Sequence, residues 1–389
     1  MTEKMISIQP ETSDDFESWV AGVLRERAFE KLIRADVFRR VMTDVPFLPD
    51  VLERQANQKE FNLPIEEYLA IAASDERIRN GRQMLRTHRD LFNTVEHAFG
   101  VEPEIVAAIW GLETGYGVIM GSTPVIPALA TLAYAGRRAA YFETELFSAL
   151  RLVQLDRIRA DQLKGSWAGA IGHGQFMPSA VLEFGVDLDD NGVTDLCGED
   201  PTDALASVAN YLKKHGWRKG QPWGIEVQLP PGFDHALTGL DQTLPSKDWS
   251  AQGVTTVDGG ALPDYGATSI LLPVGARCAA LLTTRNFHVI LRYNRAISYA
   301  IAIGHLSDRL VGGKPFVTGW PEDDRVLSSG DISEVQYLLS RYGYDTLGID
   351  GMIGPNTTRA ARAFQTAQGL TPDGHVGGAL LDALRGNRG

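Results

Sequence analysis

The chain has 389 residues, 44% of them hydrophobic and 22% charged, with a formal net charge of -12. A single core rarely grows past roughly 250–300 residues, so a large domain plus a smaller one is expected. The acidic balance excludes a nucleic-acid polyanion as the main partner, because phosphate contacts need clustered Lys and Arg.

The first half reads as helical. Phe16, Trp19, Val20, Val23 and Leu24 recur at helical spacing behind Ser13, a suitable N-cap. A second helical region is expected from about Ile65 to Phe99. Pro103 then opens a helix carrying Ile105, Val106, Ile109 and Trp110. Farther on, Thr202 or Asp203 can cap a helix with Leu205, Val208, Ala209 and Leu212 on one face and Gly216 at its end. Between about 223 and 274, Pro, Gly, Asp and Thr become common and short stretches such as Ile225 to Leu229 alternate. That texture predicts a small β subdomain inserted into the helical body. Helical periodicity returns from Thr283 to Leu310.

Residues 312–329 hold two Pro, several Gly and a charged cluster, the composition of a linker. Beyond them lies an internal repeat. Asp350-Gly351, Gly354 and Thr357 are matched by Asp373-Gly374, Gly377 and Leu380, each a Gly-rich turn leading into a short helix. No apolar run is long enough to span a bilayer. Residues 1–10 carry no basic-then-apolar signal region, although a form trimmed of its signal would read the same way. The two cysteines, Cys197 and Cys278, lack the spacing of a thiolate metal site. They read as one disulfide or, the commoner case, as two buried thiols.

The peptide from Ile109 to Gly117 puts Glu113 at the end of an apolar helix, beside Trp110 and Tyr116, with glycines stopping the helix. Burial and the negative end of the helix dipole both disfavour an ionised carboxylate, so the pKa of Glu113 is expected to rise. A carboxylic acid kept protonated near neutrality can donate to a poor leaving group such as a sugar oxygen. Taken alone, the peptide fits a helix-end Glu in water better. The run from Lys164 to Ser179 changes that balance, because glycines beside Ser166, Gln175 and aromatics describe a loop shaped around a ligand. Ser166 and Gln175 can hydrogen-bond sugar hydroxyls or amides.

Together these blocks resemble the family-B membrane-bound lytic transglycosylases, relatives of the lysozyme-like fold, from about residue 15 to 310. The markers are Glu-Thr-x-Tyr-Gly at Glu113, Ala-Thr-Leu-Ala at 130–133, the pair Arg137-Arg138 and Gly-Gln-Phe-Met-Pro-Ser at 174–179. Ala209-Asn210-Tyr211 with His215-Gly216-Trp217, and Arg292-Tyr293-Asn294, complete the set. The segment from Gly330 to Leu384 resembles the small peptidoglycan-binding domain of wall hydrolases, through Val335-Gln336, Ile349-Asp350-Gly351, Ile353-Gly354-Pro355, Ala363-Phe364-Gln365 and Pro372-Asp373-Gly374. The resemblance implies a mainly α fold. A lysozyme-like helical catalytic domain (1–311) would carry the inserted β subdomain (about 223–274). A linker (312–329) and a small three-helix peptidoglycan-binding domain (330–389) would follow.

It also implies a chemistry. Glu113 would act as the single general acid/base on the β-1,4 linkage between N-acetylmuramic acid and N-acetylglucosamine, leaving 1,6-anhydro ends, with no cofactor for catalysis. Ser166, Gln175, Tyr211, Tyr293 and Asn294 would line the glycan groove, with Arg137, Arg138 and Tyr141 at sugar subsites. Core packing for Tyr211 and an ion pair for Arg138 are the plainer alternatives. Ala296 stands where the family often has Ser, which puts one subsite hydrogen bond in doubt. The rival functions are a muramidase that adds water at the same bond and a non-catalytic wall-binding scaffold.

Asp187, Asp189, Asn191 and position Val193 read like the front half of a calcium loop, with Gly192 at the sharp turn. The closing Glu is missing. The resemblance offers Asp203 instead, for an EF-hand-like structural Ca2+, across the extra residues Cys197 to Asp200; the alternative is a polar turn held by Asx hydrogen bonds. Expected partners are peptidoglycan glycan strands and proteins of cell-wall synthesis or hydrolysis. The expected location is the periplasm or cell envelope, and the expected state is a monomer.

Overall fold

The computed structural model describes residues 13–57, 63–321 and 325–386. The helices in chain order are α1 (Ser13–Trp19), α2 (Arg25–Glu30), α3 (Ala35–Met42), α4 (Pro49–Asn57), α5 (Ile65–Ala72), α6 (Asp75–Thr87), α7 (Arg89–Phe99), α8 (Pro103–Thr114) and α9 (Val125–Ala135). They continue with α10 (Ala139–Gln154), α11 (Pro178–Phe184), α12 (Thr202–Lys214), α13 (Ser246–Ala251), α14 (Arg285–Tyr293), α15 (Ile297–Leu310), α16 (Ser329–Arg341), α17 (Pro355–Ala367) and α18 (Gly378–Gly386). The strands are β1 (Thr123–Pro124), β2 (Lys164–Gly165), β3 (Gly224–Gln228), β4 (Leu244–Pro245), β5 (Thr255–Thr256), β6 (Ala267–Leu271) and β7 (Ala280–Thr283). The fold is mainly helical, and the chain divides into two compact units: residues 1–61 with 80–214, and residues 62–79 with 215–389.

The first unit is a helical body. Leu129 and Leu132 of α9 and Leu146 and Leu150 of α10 are wholly buried at its centre, and α10 also packs on α11 and α3. Helix α8 is buried continuously from Ile105 to Gly111, and α7 and α12 both pack on it. An apolar helix with no polar face is stable only when enclosed in this way. Ser13 is the first residue of α1, and a π-helical turn, Val20–Leu24, joins α1 to α2. The helical region expected from Ile65 to Phe99 is three helices, α6 starting where the Ser74 hydroxyl accepts the Arg77 N–H. The expected cap of α12 also differs. Asp200 accepts the Thr202 N–H at 2.9 Å, whereas Asp203 turns away to accept the N–H groups of Leu188 (2.8 Å) and Asp195 (2.9 Å). The carboxylate has more donors to satisfy in the preceding loop than at its own helix end.

The second unit carries a five-stranded antiparallel sheet of order β4-β6-β7-β3-β5 over a core of Val227, Phe233, Trp249, Val254, Ile270 and Leu282. β7 lies between β6 and β3, so the sheet runs on to Thr283 before Thr284 caps α14 by accepting the Asn286 N–H. α15 packs on α5 and α14. Part of the stretch read as a linker is pinned. Glu226 accepts the N–H groups of Val317 and Thr318 at 2.7 Å each, and Phe316 stacks on His305 at 4.5 Å. Burial pushes the His305 pKa down to about 4. Residues 322–324 of that stretch lie outside the described residues.

α16, α17 and α18 form a separate core of Val335, Leu339, Ala361, Phe364, Leu381 and Leu384. The sequence repeat has a physical cause. Gln336 of α16 reads the first Asp-Gly turn: its Oε1 accepts from Asp350 and Gly351, and its Nε2 donates to the Asp350 carboxylate and the Met352 carbonyl. Gln365 of α17 reads the second in the same way, accepting from Gly374 and donating to Asp373. Gln336 is 2% exposed, so Gln336→Leu strands the buried Gly351 N–H and takes a donor from the buried Thr357 hydroxyl. A loss of about 2–3 kcal/mol is expected, seen as a lower unfolding temperature of this domain and faster hydrogen exchange at Gly351. An unchanged melt would mean that water replaces the Gln at no cost.

Candidate active site

Glu113 lies half-buried in the last turn of α8. The helix stops because Gly115 takes a left-handed conformation (φ 59°) and its N–H returns to the Gly111 carbonyl at 3.1 Å. Tyr116 is also left-handed (φ 65°), which folds its ring back over the helix. Only glycine at 111 leaves room, since a Cβ there would lie 2.6 Å from Tyr116 Cζ. Trp110, one turn before Glu113, meets Tyr116 edge-on at 5.7 Å and His173 at 5.7 Å. The Thr114 hydroxyl accepts the Gly117 N–H at 3.1 Å and lies 3.0 Å from the His173 carbonyl. The turn bearing Glu113 is therefore held by aromatic packing and by hydrogen bonds on both sides of it.

The Gly-rich loop is a set of tight reversals. β2 pairs with β1, and bridges join Gly165 to Ile171 and Ile171 to Phe176. The Ser166 hydroxyl accepts the Ala170 N–H at 3.0 Å, which leaves its own proton available to donate. Gln175 is left-handed (φ 50°), a conformation that costs a non-glycine residue energy. Its Nε2 donates to the carbonyls of Met120 (3.2 Å) and Gly172 (2.9 Å), tying the loop to the segment that follows the α8 stop. The loop exit is anchored by Glu145 of α10, 3% exposed, which accepts the N–H (2.9 Å) and the hydroxyl (2.7 Å) of Ser179. Sequence reasoning missed Glu145, which sits in mid-helix outside any motif, and gave His173 no role although it lies in the Gly-rich run from Lys164 to Ser179.

The other expected residues differ in their surroundings. Arg138 places its guanidinium 4.4 Å over the Tyr141 ring, and both are exposed. Burial, followed by the nearby Glu145 charge, raises the Tyr141 pKa. Arg137 is engaged with α4: its N–H donates to Gln55 Oε1 (2.7 Å), Gln55 donates back to its carbonyl (3.0 Å), and its guanidinium donates to the Gln55 carbonyl. Tyr211 packs against Phe184 (4.7 Å) and Phe176 (5.9 Å). Tyr293 ends α14 in the second unit, and Asn294, exposed beside it, accepts the Ala296 N–H at 3.0 Å.

The acidic loop closes on itself. Carboxylate oxygens of Asp187, Asp189 and Asp203 come within 4.8 Å of one another. Asp187 accepts the N–H groups of Asn191 (3.1 Å) and Gly192 (2.7 Å), and Asn191 accepts that of Val193 (2.9 Å). The extra residues do not prevent closure, because Asp195 accepts the N–H groups of Cys197 (3.0 Å) and Gly198 (2.8 Å) and folds them into a tight turn. Burial first, then the charges of Asp189 and Asp187, push the Asp203 pKa up. Both cysteines are free thiols, and burial pushes Cys197 up to about 12 and Cys278 to about 11, so neither is a nucleophile near neutrality.

Residues 15–308 match the Transglycosylase SLT domain family. The chain belongs to that family. Residues 328–384 match a peptidoglycan binding domain family. Membrane-bound lytic murein transglycosylase B of Escherichia coli is 37% identical over 232 residues, which cover 59% of this chain and 62% of that protein. The match thus spans less than two thirds of that relative's length. SltB3 of Pseudomonas aeruginosa, solved in complex with NAG-anhNAM-pentapeptide, is 42% identical, with a TM-score of 0.92 over 95% of this chain and 99% of its own. The Escherichia coli lytic transglycosylase Slt35, solved in complex with calcium, is 31% identical, with a TM-score of 0.63 over 77% of this chain and 93% of its own.

In this transglycosylase-family protein, the packing of Tyr116 on Gly111 makes a direct prediction. Gly111→Ala forces the ring or the helix end to move, costing about 1–3 kcal/mol and lowering activity with it. Tyr116→Leu in the same chain should recover part of the lost melting temperature. Additive losses in the double variant would show that the two positions do not interact.

Proposed function

We propose that the protein is a lytic transglycosylase that cuts the β-1,4 linkage between N-acetylmuramic acid and N-acetylglucosamine in peptidoglycan, with Glu113 as the lone acid/base. The observation that carries this reading is Glu113 at a helix stop packed by Trp110 and Tyr116, its neighbour Thr114 bonded to His173 of the Ser166–Gln175 loop, in a chain matching SltB3 over 95% of its length. Two SltB3 structures are complexes, one with NAG-NAM-pentapeptide and one with NAG-anhNAM-pentapeptide. Protonated Glu113 gives its proton to the linkage oxygen as the C1–O bond breaks. The sugar's own primary hydroxyl then attacks C1 and returns its proton to Glu113, so no water is consumed. Glu145 of α10, 3% exposed and bonded to Ser179, serves as a support of the loop exit and not as a second catalytic carboxylate.

Ser166, Gln175, Tyr293 and Asn294 hydrogen-bond the glycan, and Arg138 with Tyr141 form a stacked platform for a sugar. Arg137 and Tyr211 support that surface through Gln55 and through Phe176 and Phe184. Residues 1–311, with the β insertion extended from about 223–274 to Thr283 by β7, are the catalytic domain. Residues 312–329 join it to 330–389, which tether the enzyme to the wall and raise its local substrate concentration. The enzyme works in the periplasm or cell envelope as a monomer, beside other proteins of wall synthesis and hydrolysis.

The loop at Asp187, Asp189, Asn191, Val193 and Asp203 holds a structural Ca2+. The clustered carboxylates support this, since their mutual repulsion is relieved by a cation. The residues fit a hard divalent ion in charge and in oxygen donors.

Two experiments test these readings. Mass spectrometry of muropeptides released from purified sacculi should find anhydro products with the wild type and none with Glu113→Gln. Hydrated reducing ends would make the protein a muramidase, and binding without release would make it a scaffold. For the metal, Ca2+ at 100 times its Kd should stabilise the protein by about 2.7 kcal/mol at pH 7, a rise of several degrees in melting temperature. Asp203→Asn should remove that rise. A melt indifferent to both Ca2+ and chelator would leave the loop a polar turn.

A further inference from the structure

His173 is 3% exposed in the Gly-rich loop, and its ring has two neighbours of fixed character. The Trp110 indole N–H lies 3.0 Å from Nδ1. An indole nitrogen can only donate, so Nδ1 must be the bare acceptor. Nε2 then carries the proton, and it lies 2.8 Å from the Gly198 carbonyl, which can only accept. Chemistry therefore fixes one neutral tautomer. The main chain of His173 repeats the connection: its N–H donates to the Leu196 carbonyl at 3.0 Å, and its carbonyl lies 3.0 Å from the Thr114 hydroxyl. Gly117 is needed for the ring to fit, because a Cβ there would lie 2.7 Å from His173 Cε1. Trp110 and Thr114 stand on either side of Glu113 along the last turn of α8, so one residue grips that turn from both sides and fastens it to the turn at Leu196 and Gly198.

We propose that His173, as the neutral Nε2–H tautomer, is a positioning residue that holds the Glu113 turn of α8 in register with the Gly-rich loop. Protonation would put a hydrogen on Nδ1 and set two donors, the ring and the indole, against each other. The groups that face the ring pull in different directions. Burial is the largest influence and lowers the pKa, and His88, which packs on Trp110, lowers it too. The Gly198 hydrogen bond and the charges of Asp195 and Asp200 raise it, and the balance lies below the ordinary 6.5. The sign follows: the clamp is intact above pH 6.5 and is lost as pH falls through the lowered value. The proposal rests on the reading of Glu113 as the acid/base, since it concerns what aims that carboxyl.

The test has two parts. Nitrogen-detected NMR of the full chain at pH 7 should find the His173 imidazole neutral, with Nδ1 bare and Nε2 protonated. A cationic ring or the opposite tautomer would overturn the proposal, whether or not any variant folds and whatever Glu113 does. Turnover on sacculi gives the second part. His173→Leu should lower kcat by roughly 10- to 100-fold, with KM within about twofold, because misplacement by about an ångström costs rates of that order. His173→Gln supplies an acceptor and a donor without titrating, so it should recover most of kcat at pH 7 and keep more of that rate than the wild type on the acid side. Superposable acid limbs for the wild type and His173→Gln, or full kcat in folded His173→Leu, would show that the residue is merely structural. Loss of all turnover with Glu113→Gln while His173 keeps its tautomer leaves both readings standing. Retained turnover in that variant sinks the Glu113 reading alone.

Discussion

Helix α8 ends at Thr114 because Gly115 turns left-handed and hands its N–H back to Gly111, and the surroundings of Glu113 follow from that stop. If the helix ran on, Tyr116 could not fold over Gly111, and the Gly117 N–H could not reach the Thr114 hydroxyl. The constraint is severe because α8 is apolar on every face. Its side chains can be buried only by surrounding it, and its one ionisable group in the last turn must emerge where the enclosure opens. The site therefore occurs at a helix end, where backbone carbonyls still need partners and short loops can supply them.

Two loops complete that end. The Gly-rich loop is built from reversals that bring main chain against main chain, and its polar residues are used in part to hold themselves in place: Ser166 on Ala170, Gln175 on Met120 and Gly172. The acidic loop closes through Asp203, which gives up helix capping to collect N–H groups from Leu188 and Asp195. The two loops meet at the backbone, His173 to Leu196, so the geometry at Glu113 and the geometry of the acidic cluster share a support. Order in one loop is thereby linked to order in the other.

The C-terminal helices obey a different rule. A core of three short helices is small, and its stability depends on satisfying the turns between them. Gln336 and Gln365 do this by the same geometry, each filling both hydrogen-bonding needs of an Asp-Gly turn. The repeats diverge at Asp373 among other places: its second carboxylate oxygen accepts the Ala276 N–H at 2.8 Å, in the turn that leads into β7. The same turn motif thus serves internal packing once and packing plus attachment the second time.

The sequence by itself determined the apolar helix with Glu113 at its stop, the Gly-rich loop, the texture change that marks the β insertion, and the Asp-Gly repeat. Each is a local pattern, written in the spacing of neighbouring residues. Only the tertiary structure decided where long-range partners fall. Residues 197–200 left the return of Asp203 to Asp187 and Asp189 open, since turn geometry at Asp195 settles it. Arg137 looked like its neighbour Arg138 in sequence, yet one is bound to Gln55 and the other stacks on Tyr141, because the partners come from α4 and α10. His173 and Glu145 carried no periodic or motif signal of their role. Their effect comes from hydrogen bonds to residues dozens of positions away, and the single chain records no spacing from which such a pairing can be read.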